Sequence, residues 1–269
     1  MKTLVFHGIG SNSFGPLNTC SFSIELEPNK WVLIDCGPDT PRQVKKAGIA
    51  LLQVKTIVVT HSHLDHCGGI PYLFMGRNLE LASAQCKAEE AESRDNTLTL
   101  ICEQELGLKL IEFFHYCHPE VRLQFDIRIL DIRKMSKSDA LISGHKLRFV
   151  PTDHAVSTYG FRIDDDDGHS LAYSSDTLPC DAFIQLATGV DIVIHEAMFS
   201  ADSNAGEKTK HSNTSQAGEV IRRIGPKKQA FLMHIQPVQF VNCQQFEAQV
   251  SAIAGIAAKY PTEGKRQDF

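Results

Sequence analysis

The chain has 269 residues, of which 42% are apolar and 22% are charged, and its formal net charge at pH 7 is −5. This composition is that of an ordinary globular protein, and the length suffices for a full-sized hydrophobic core. The acidic balance gives no general attraction to nucleic acid, and no segment reaches the roughly 18 consecutive apolar residues that a membrane span needs.

The first third of the chain alternates short apolar runs with glycine turns. Such runs are typical of strands in a core sheet, and they predict strands over 4–10, 21–26, 31–37 and 55–60. Between the third and fourth of these, Thr40 and Pro41 form a good N-cap and first-turn pair, and Gly48 is a typical helix end. A short helix over 40–49 is therefore expected.

The stretch 79–118 has apolar residues at helical spacing, which predicts one or two helices. Further strands are expected over 127–132, 145–150, 158–163, 171–175, 190–194 and 229–233, with a helix over 214–224. The acidic run Asp164–Asp167 precedes a glycine and is typical of a hairpin tip. Strands mixed with helices throughout favour two sheets with helices outside. No repeat or linker interrupts the chain, so residues 1–269 are expected to form a single domain.

The cellular compartment is suggested by the start of the chain and by its cysteines. The opening MKTLVFHGIG has an apolar patch too short for a signal peptide. The eight cysteines never form a CxxC pair, which excludes zinc ribbons and thioredoxin-type motifs. We therefore expect a cytoplasmic protein with reduced thiols, and Cys67 is expected to be a packed one.

Four metal-ligand side chains crowd into THSHLDH at 60–66, directly after a predicted strand. His61 and His63 are two residues apart in extended chain and point the same way, so they can hold one ion. Asp65 and His66 follow the turn and would face a neighbouring position. Imidazole and carboxylate together suit zinc, manganese or iron, and the density of ligands favours two ions.

Three more candidate ligands follow apolar strands elsewhere in the chain. His154 comes after KLRFVPTD, Asp176 after LAYSS and His234 after AFLM. Strand ends that converge on one edge of a sheet commonly form an active site. Any one of the three residues alone is as consistent with a structural role, whereas together they favour a shared metal site.

On these motifs the sequence resembles the metallo-β-lactamase superfamily and, within it, the ribonuclease Z-like branch of phosphodiesterases. The resemblance also covers LIDCGPDTPRQVKKAGI at 33–49, SSDT at 174–177, HEAMF at 195–199, HSNTSQA at 211–217 and LMHI at 232–235. It implies a four-layer αββα sandwich, in which two mixed β-sheets are flanked by helices. The chain is thus expected to be an α/β (α+β) protein.

The resemblance also implies a ligand set for two divalent ions, with zinc expected and manganese or iron as alternatives. The first ion would take His61, His63 and His154, and the second Asp65, His66 and His234. Asp176 would bridge both. Asp35 would support a ligand histidine, and the Gly8–Gly10 loop would shape the wall of the site.

The expected chemistry is hydrolysis of a phosphodiester by a hydroxide that bridges the two ions. Asp65 would orient or deprotonate the attacking water, or serve only as a ligand. His211 matches an HST-like motif and would protonate the leaving oxygen or hold transition-state charge. Glu196 would orient His211, with a structural role as the equal alternative.

The expected substrate depends on a feature in which this sequence differs from the ribonuclease Z-like branch. Ribonuclease Z enzymes commonly insert a long arm that grips transfer RNA between the third metal histidine and the bridging aspartate. Here about twenty residues separate His154 from Asp176, which leaves room for one hairpin. A small, cyclic or nucleotide-like phosphodiester is therefore preferred, and RNA stays an alternative partner.

Three other functions are alternatives to a hydrolase of small phosphodiesters. A ribonuclease Z-like tRNA 3′-end endonuclease is the second choice and a thioester or lactone hydrolase the third. A metal-binding sensor without turnover is the alternative from a different class. No membrane partner is expected, and a homodimer is the expected assembly, because dimers are common in this branch and among soluble proteins.

Overall fold

The architecture is taken from a computed structural model, which describes residues 1, 3–11, 15–85, 96–137 and 140–268. Within these residues, fourteen strands form two sheets of seven strands each. The first sheet has the order β14-β1-β2-β3-β4-β5-β6, with β1 Thr3–Gly8, β2 Ser21–Glu27, β3 Lys30–Ile34, β4 Val54–Val58, β5 Leu98–Cys102, β6 Ile127–Asp131 and β14 Arg266–Asp268. Its strands are antiparallel from β14 to β3 and parallel from β3 to β6.

The second sheet repeats this mixed pattern. Its order is β13-β12-β11-β10-β9-β8-β7, with β7 Ala140–Ile142, β8 His145–Pro151, β9 Tyr159–Asp164, β10 Ser170–Tyr173, β11 Ile192–Glu196, β12 Gln229–Met233 and β13 Ala258–Lys259. The strands β10 to β13 are parallel and those from β7 to β10 antiparallel.

Helices cover the outer face of each sheet. Their bounds are α1 Thr40–Lys46, α2 Leu64–Cys67, α3 Ile70–Gln85, α4 Gln104–Cys117, α5 Ile132–Met135, α6 Asp181–Ala187, α7 Ala205–Thr209, α8 Thr214–Ile224 and α9 Cys243–Ala254, with 3-10 turns at Leu51–Gln53 and Pro237–Asn242. Side chains of α1, α3 and α4 pack in one apolar cluster with the first sheet. Those of α6, α8 and α9 join the cluster that also fills the space between the sheets.

The pleat of β3 shows why the two sheets stack. Val32 and Ile34 point into the cluster between the sheets, whereas Trp31 and Leu33 point into the cluster under the helices. Successive side chains of a strand face opposite sides, so a strand that is apolar at every position buries both of its faces. The result is the four-layer αββα sandwich of the metallo-β-lactamase fold.

Most of the predicted elements are present, and the main error lies in 79–118. One or two helices were expected there, and the end of α3 and all of α4 do lie in this stretch, but Leu98–Cys102 between them is the strand β5, a short apolar run buried on both faces. The first helix there begins earlier, at Ile70, and the residues 86–95 lie outside the described part of the chain. The N-cap of α1 is Asp39 and not Thr40. The elements that were not predicted are the strands β7, β13 and β14 and the helices α5, α6, α7 and α9.

The acidic run 164–167 does join two antiparallel strands, β9 and β10, as expected for a hairpin tip. Within the described residues, none of the helices combines the length and apolar character that crossing a bilayer requires.

Two glycines let the loops beside the sheet edge approach each other. A Cβ at Gly37 would lie 2.2 Å from the carbonyl oxygen of Asp65, and one at Gly69 would lie 2.0 Å from that of Gly37. Both distances are too short for any larger residue. The loop after β3 is thereby pressed directly against the short helix α2.

Candidate metal centre

The histidine-rich segment leaves β4 at the edge of the first sheet and turns into α2. His63 has an extended backbone (φ −64°, ψ 144°), and α2 begins at the next residue. The rings of His61 and His63 therefore lie side by side, with centroids 4.7 Å apart. Asp65 and His66 lie on α2 and are buried.

The first ligand group joins these two histidines to residues of the second sheet. Ligand atoms of His61, His63, His154 and Asp176 all lie within 4.8 Å of one another. Nε2 of His154 and Nδ1 of His63 are 3.3 Å apart. Residues from three separate parts of the sequence thus surround one point.

The second ligand group lies beside the first. Ligand atoms of Asp65, His66 and His234 also lie within 4.8 Å of one another. Oδ2 of Asp65 is 3.2 Å from Nε2 of His234 and 3.6 Å from Nε2 of His66. His234 comes directly after β12, and the next two strands of the sheet, β11 and β10, run parallel to β12 and end at the same edge.

Asp176 connects the two groups. Its Oδ2 atom lies close to a ring nitrogen of four histidines: 3.6 Å from Nε2 of His61, 3.3 Å from that of His66, 3.9 Å from that of His154 and 3.2 Å from that of His234. The structure therefore brings together all seven residues that the sequence singled out as ligands.

Hydrogen bonds hold three of the histidines from behind. Nδ1 of His66 lies 2.8 Å from Oδ2 of Asp35, and Nδ1 of His61 lies 3.1 Å from Oγ1 of Thr60. The backbone carbonyl of Lys210 accepts a hydrogen bond from Nδ1 of His154 at 2.9 Å. In each case the partner on Nδ1 leaves Nε2 facing the centre, which is how proteins orient metal-binding imidazoles.

Several of the atoms that face the centre lack a hydrogen-bond partner. Among the described residues, Nε2 of His61, Nε2 of His66 and both carboxylate oxygens of Asp176 are buried without a hydrogen bond. Buried polar atoms are normally paired, because leaving one unpaired costs about 1–3 kcal/mol. Such a cluster of inward-facing imidazole and carboxylate donors fits a divalent ion such as zinc.

Backbone strain is concentrated around this centre. Asp35 (φ 55°), Ser175 (φ 54°) and His234 (φ 60°) are non-glycine residues with positive φ. This conformation is uncommon for such residues and persists where the surrounding structure enforces it. Oγ of Ser175 also donates to Oγ1 of Thr60, 2.8 Å away. This hydrogen bond links the loop after β10 to the start of the histidine-rich segment after β4.

His211 and Glu196 form a buried pair next to the second ligand group. Nδ1 of His211 is 3.2 Å from Oε1 of Glu196, and its ring stacks on that of His234 with centroids 5.0 Å apart. Burial lowers the pKa of His211, but the charge of Glu196 and the hydrogen bond to it raise that pKa to about 9. The pair thus favours a protonated imidazole.

Glu196 is held in place by the neighbouring backbone. Its Oε2 atom accepts a hydrogen bond from the backbone N–H of Ser212 at 3.1 Å, and Oε1 accepts one from the N–H of Thr177. Both donors follow candidate site residues, His211 and Asp176. The carboxylate therefore ties together the loops that carry them.

Several supporting residues had no recognisable signal in the sequence. Thr60, Ser175 and Lys210 act through hydrogen bonds that depend on the folded loops. The Gly8–Gly10 loop, expected to shape the wall, pairs with the chain after His234, because Ile235 donates its N–H to the Ile9 carbonyl at 3.0 Å. Cys67 is a buried free thiol, as expected.

His195 and the group around His169 do not belong to the centre. His195 is buried with Nδ1 2.7 Å from the Glu196 carbonyl. At the β9–β10 hairpin, possible ligand atoms of Asp165, Asp167 and His169 lie within 4.8 Å of one another. The carboxylate of Asp165 is already bound by the ammonium group of Met1, so this group does not resemble the main centre.

The comparisons with known proteins agree with this geometry. The family model of the β-lactamase superfamily domain matches residues 30–235. Ribonuclease Z of Synechococcus sp. (strain WH7803) is 23% identical over 258 residues, which cover 76% of this chain and 75% of that protein.

Two solved structures share the fold over almost the whole chain. The metallo-β-lactamase fold protein YhfI from Bacillus subtilis has a TM-score of 0.79 at 18% identity, covering 100% of this chain and 98% of that one. A diphosphatase from the PhnP family has a TM-score of 0.73 at 20% identity, covering 100% of this chain and 97% of that one.

Proposed function

The chain belongs to the β-lactamase superfamily, and we propose that it is a binuclear phosphodiesterase acting on a small or cyclic phosphodiester. The similarity to ribonuclease Z and to the diphosphatase supports the assignment as a metal-dependent hydrolase. The observation that carries this proposal is the position of Asp176. Its Oδ2 atom lies within 4.0 Å of side chains from both ligand groups. A carboxylate shared in this way is suited to bridging two cations.

The proposed ligands follow the two groups. His61, His63 and His154 would hold one ion, Asp65, His66 and His234 the other, and Asp176 would bind both. Zinc is the proposed metal, because a set rich in imidazole with few carboxylates suits it, and manganese or iron are the alternatives. When bound, the ions supply an activated water for attack and polarise a phosphoryl oxygen.

The chain's own groups have separate roles in the proposed reaction. Asp65, with one carboxylate oxygen available beside the ligand position, would orient the attacking water. His211 would donate a proton to the leaving oxygen, since its ring lies against that of His234 and Glu196 fixes its Nδ1. Glu196 would keep that imidazole oriented and charged, in the manner of a carboxylate–histidine pair.

The small-substrate proposal is supported by the segment between His154 and Asp176. In this segment β9 and β10 are joined by a tight turn that includes residues 165–168. This compact hairpin offers no long basic surface for RNA, and the net charge of −5 points the same way. One of the structural neighbours is described as a diphosphatase from the PhnP family.

Cleavage of precursor tRNA is the second candidate. It is favoured by the similarity to ribonuclease Z, which extends over 76% of this chain. The chemistry would be unchanged, and the difference lies in how a long substrate is held. An RNA substrate would have to be bound by surfaces other than the hairpin between β9 and β10.

The test is a substrate panel with metal-reconstituted protein. Cyclic nucleotides, ribose cyclic phosphates, bis(p-nitrophenyl) phosphate and a precursor tRNA are compared with zinc and with manganese. Hydrolysis of the small diesters at higher kcat/KM than the tRNA is expected. If two ions bind and no diester turns over, the phosphodiesterase proposal is refuted and a metal-binding sensor is favoured. A thioester or lactone that turns over faster than any diester would also refute it.

A further inference from the structure

Lys210 has a backbone conformation that usually requires glycine. It caps the C-terminus of α7 in the left-handed region, with φ 61° and ψ 47°. Glycine is the common residue at such a position because a side chain there is strained. The backbone of Lys210 does serve the centre, since its carbonyl accepts the hydrogen bond from His154. Glycine would present the same carbonyl, so the lysine side chain needs a separate explanation.

The ammonium group of Lys210 lies at the rim of the candidate metal centre. Its Nζ atom is 3.3 Å from Oδ1 of Asp153, and the two side chains are 41% and 51% exposed. Each residue directly precedes a histidine of the site, His211 and His154, whose rings are 4.8 Å apart. The cation is therefore close to the site and still open to solvent.

The ion pair by itself contributes little to stability. Exposed pairs typically stabilise a protein by about 0–1 kcal/mol. The backbone of Asp153 is fixed independently, because its N–H donates to Oγ1 of Thr177 at 3.1 Å and its carbonyl accepts from Leu178 at 3.0 Å. Neither loop depends on the pair for its position. A partly exposed ammonium with a weakly held partner is well placed to exchange that partner for an anionic ligand.

We propose that Lys210 anchors the substrate by binding an anionic group other than the scissile phosphodiester. The preferred substrate then carries a second phosphate, which displaces Asp153 from the ammonium. This inference rests on the proposed phosphodiesterase function and adds a substrate class to it. A lysine ammonium is a common phosphate-binding group and its charge-assisted hydrogen bonds are strong.

A matched pair of substrates tests the anchor. The p-nitrophenyl ester of thymidine 5′-phosphate has only the scissile diester, and the corresponding ester of thymidine 3′,5′-bisphosphate adds one phosphate. Wild-type protein is expected to hydrolyse the bisphosphate ester with kcat/KM at least about tenfold higher, mainly through a lower KM. Lys210→Gln should remove this preference, so that the two esters are hydrolysed with similar kcat/KM.

Asp153→Asn separates the anchor from a structural latch between the two loops. If Lys210 anchors the substrate, removing the competing carboxylate frees its ammonium group, so the preference for the bisphosphate ester should rise by roughly threefold. If the ion pair only holds the two loops together, Asp153→Asn and Lys210→Gln should both lower activity on both esters. Lys208→Gln, an exposed lysine in the same helix–loop segment, is the matched control and should leave the preference unchanged.

Lys210→Gly gives a second readout. It relieves the strained backbone, so the melting temperature is expected to rise by about 2–4 °C while the preference for the bisphosphate is lost. The anchor would be overturned if Lys210→Gln kept the wild-type preference for the bisphosphate ester. It would also be overturned if Asp153→Asn lost activity on both esters in parallel with Lys210→Gln. Failure of the wild-type protein to hydrolyse either ester would instead refute the proposed function, and the anchor with it.

Discussion

Nδ1 of His211 and Oε1 of Glu196 lie 3.2 Å apart in a buried part of the sandwich edge. The two residues are fifteen positions apart in sequence, and the backbone amides of Thr177 and Ser212 hold the carboxylate from two sides. The glutamate therefore cannot move away from the imidazole without losing three contacts. This rigidity favours one ring orientation for His211, with its other nitrogen available to a substrate.

Replacing His211 tests its proposed role in proton transfer. His211→Ala is expected to lower kcat by at least about a hundredfold, because a general acid contributes roughly 10²–10⁴ to the rate. Metal content, measured by elemental analysis, should stay at two ions per chain, since the proposed ligands are other residues. Wild-type turnover in this variant would show that His211 takes no part.

The Glu196 carboxylate should act through the same imidazole. Glu196→Gln keeps the side-chain shape but removes the charge, and is expected to slow turnover as well. Residues that act as a unit have non-additive effects. The variant with both substitutions should therefore be no slower than His211→Ala alone. An additive loss would indicate that Glu196 has an independent, structural effect on the site.

Removal of Asp176 tests whether one carboxylate holds two ions. Asp176→Ala takes a negative charge away from both ligand groups and leaves their imidazoles facing one another. We expect the loss of both ions on elemental analysis and the loss of diester hydrolysis. Asp181→Ala, an exposed aspartate that pairs with Arg223, is the control for general charge effects. Full retention of two ions in Asp176→Ala would contradict the bridging role.

The support behind His66 offers a finer test of metal affinity. Asp35→Asn keeps a residue that tolerates positive φ, and its amide oxygen can still accept from Thr60. It removes the charge next to Nδ1 of His66, so zinc affinity is expected to fall by about 10–100-fold in competition with a chelating dye. Asn29→Asp, at another positive-φ position in the β2–β3 turn, is the matched control. Equal affinity in wild type and Asp35→Asn would exclude this supporting role.

The sequence predicted the ligand positions better than it predicted their support. His61, His63, Asp65 and His66 are adjacent in the chain, and the other three follow apolar strands, so a pattern of short-range features was enough. The contacts of Asp35 with His66 and of Lys210 with His154 join residues 31 and 56 positions apart. Such pairs depend on how the loops at the ends of the strands meet in the folded chain, which no local pattern encodes, and the supporting role of Asp35 was implied only by the family resemblance.

The same limit explains the missed strand β5. Leu98–Cys102 is short and apolar, and a buried segment of this kind cannot be separated from a helix by periodicity alone. Its parallel pairing with Val54–Val58 and Ile127–Asp131 is a long-range contact that decides the outcome. Helical spacing on both sides of the segment led instead to the prediction of one or two helices.

Stability should depend on pH through a histidine outside the metal centre. His7 lies in β1, buried, with Nε2 2.7 Å from Oγ of Ser23, and burial lowers its pKa from 6.5 to about 3. Between these values the unfolded chain binds more protons than the folded one, so the free energy of unfolding rises with pH. The stabilisation is complete above pH 6.5 and is lost as the pH falls towards 3.

His7→Gln isolates this contribution, because the amide can still reach Ser23 but does not titrate. From urea unfolding at pH 7.5 and 5.0, the wild type is expected to lose about 2 kcal/mol more than the variant on acidification. Effects of acid on the metal ligands are common to both proteins and cancel in the comparison. His115→Gln, an exposed histidine on α4, should lose the same amount as wild type. If His7→Gln and wild type lose equal stability, His7 is not buried in its neutral form, and the packing of β1 against β2 differs from that described.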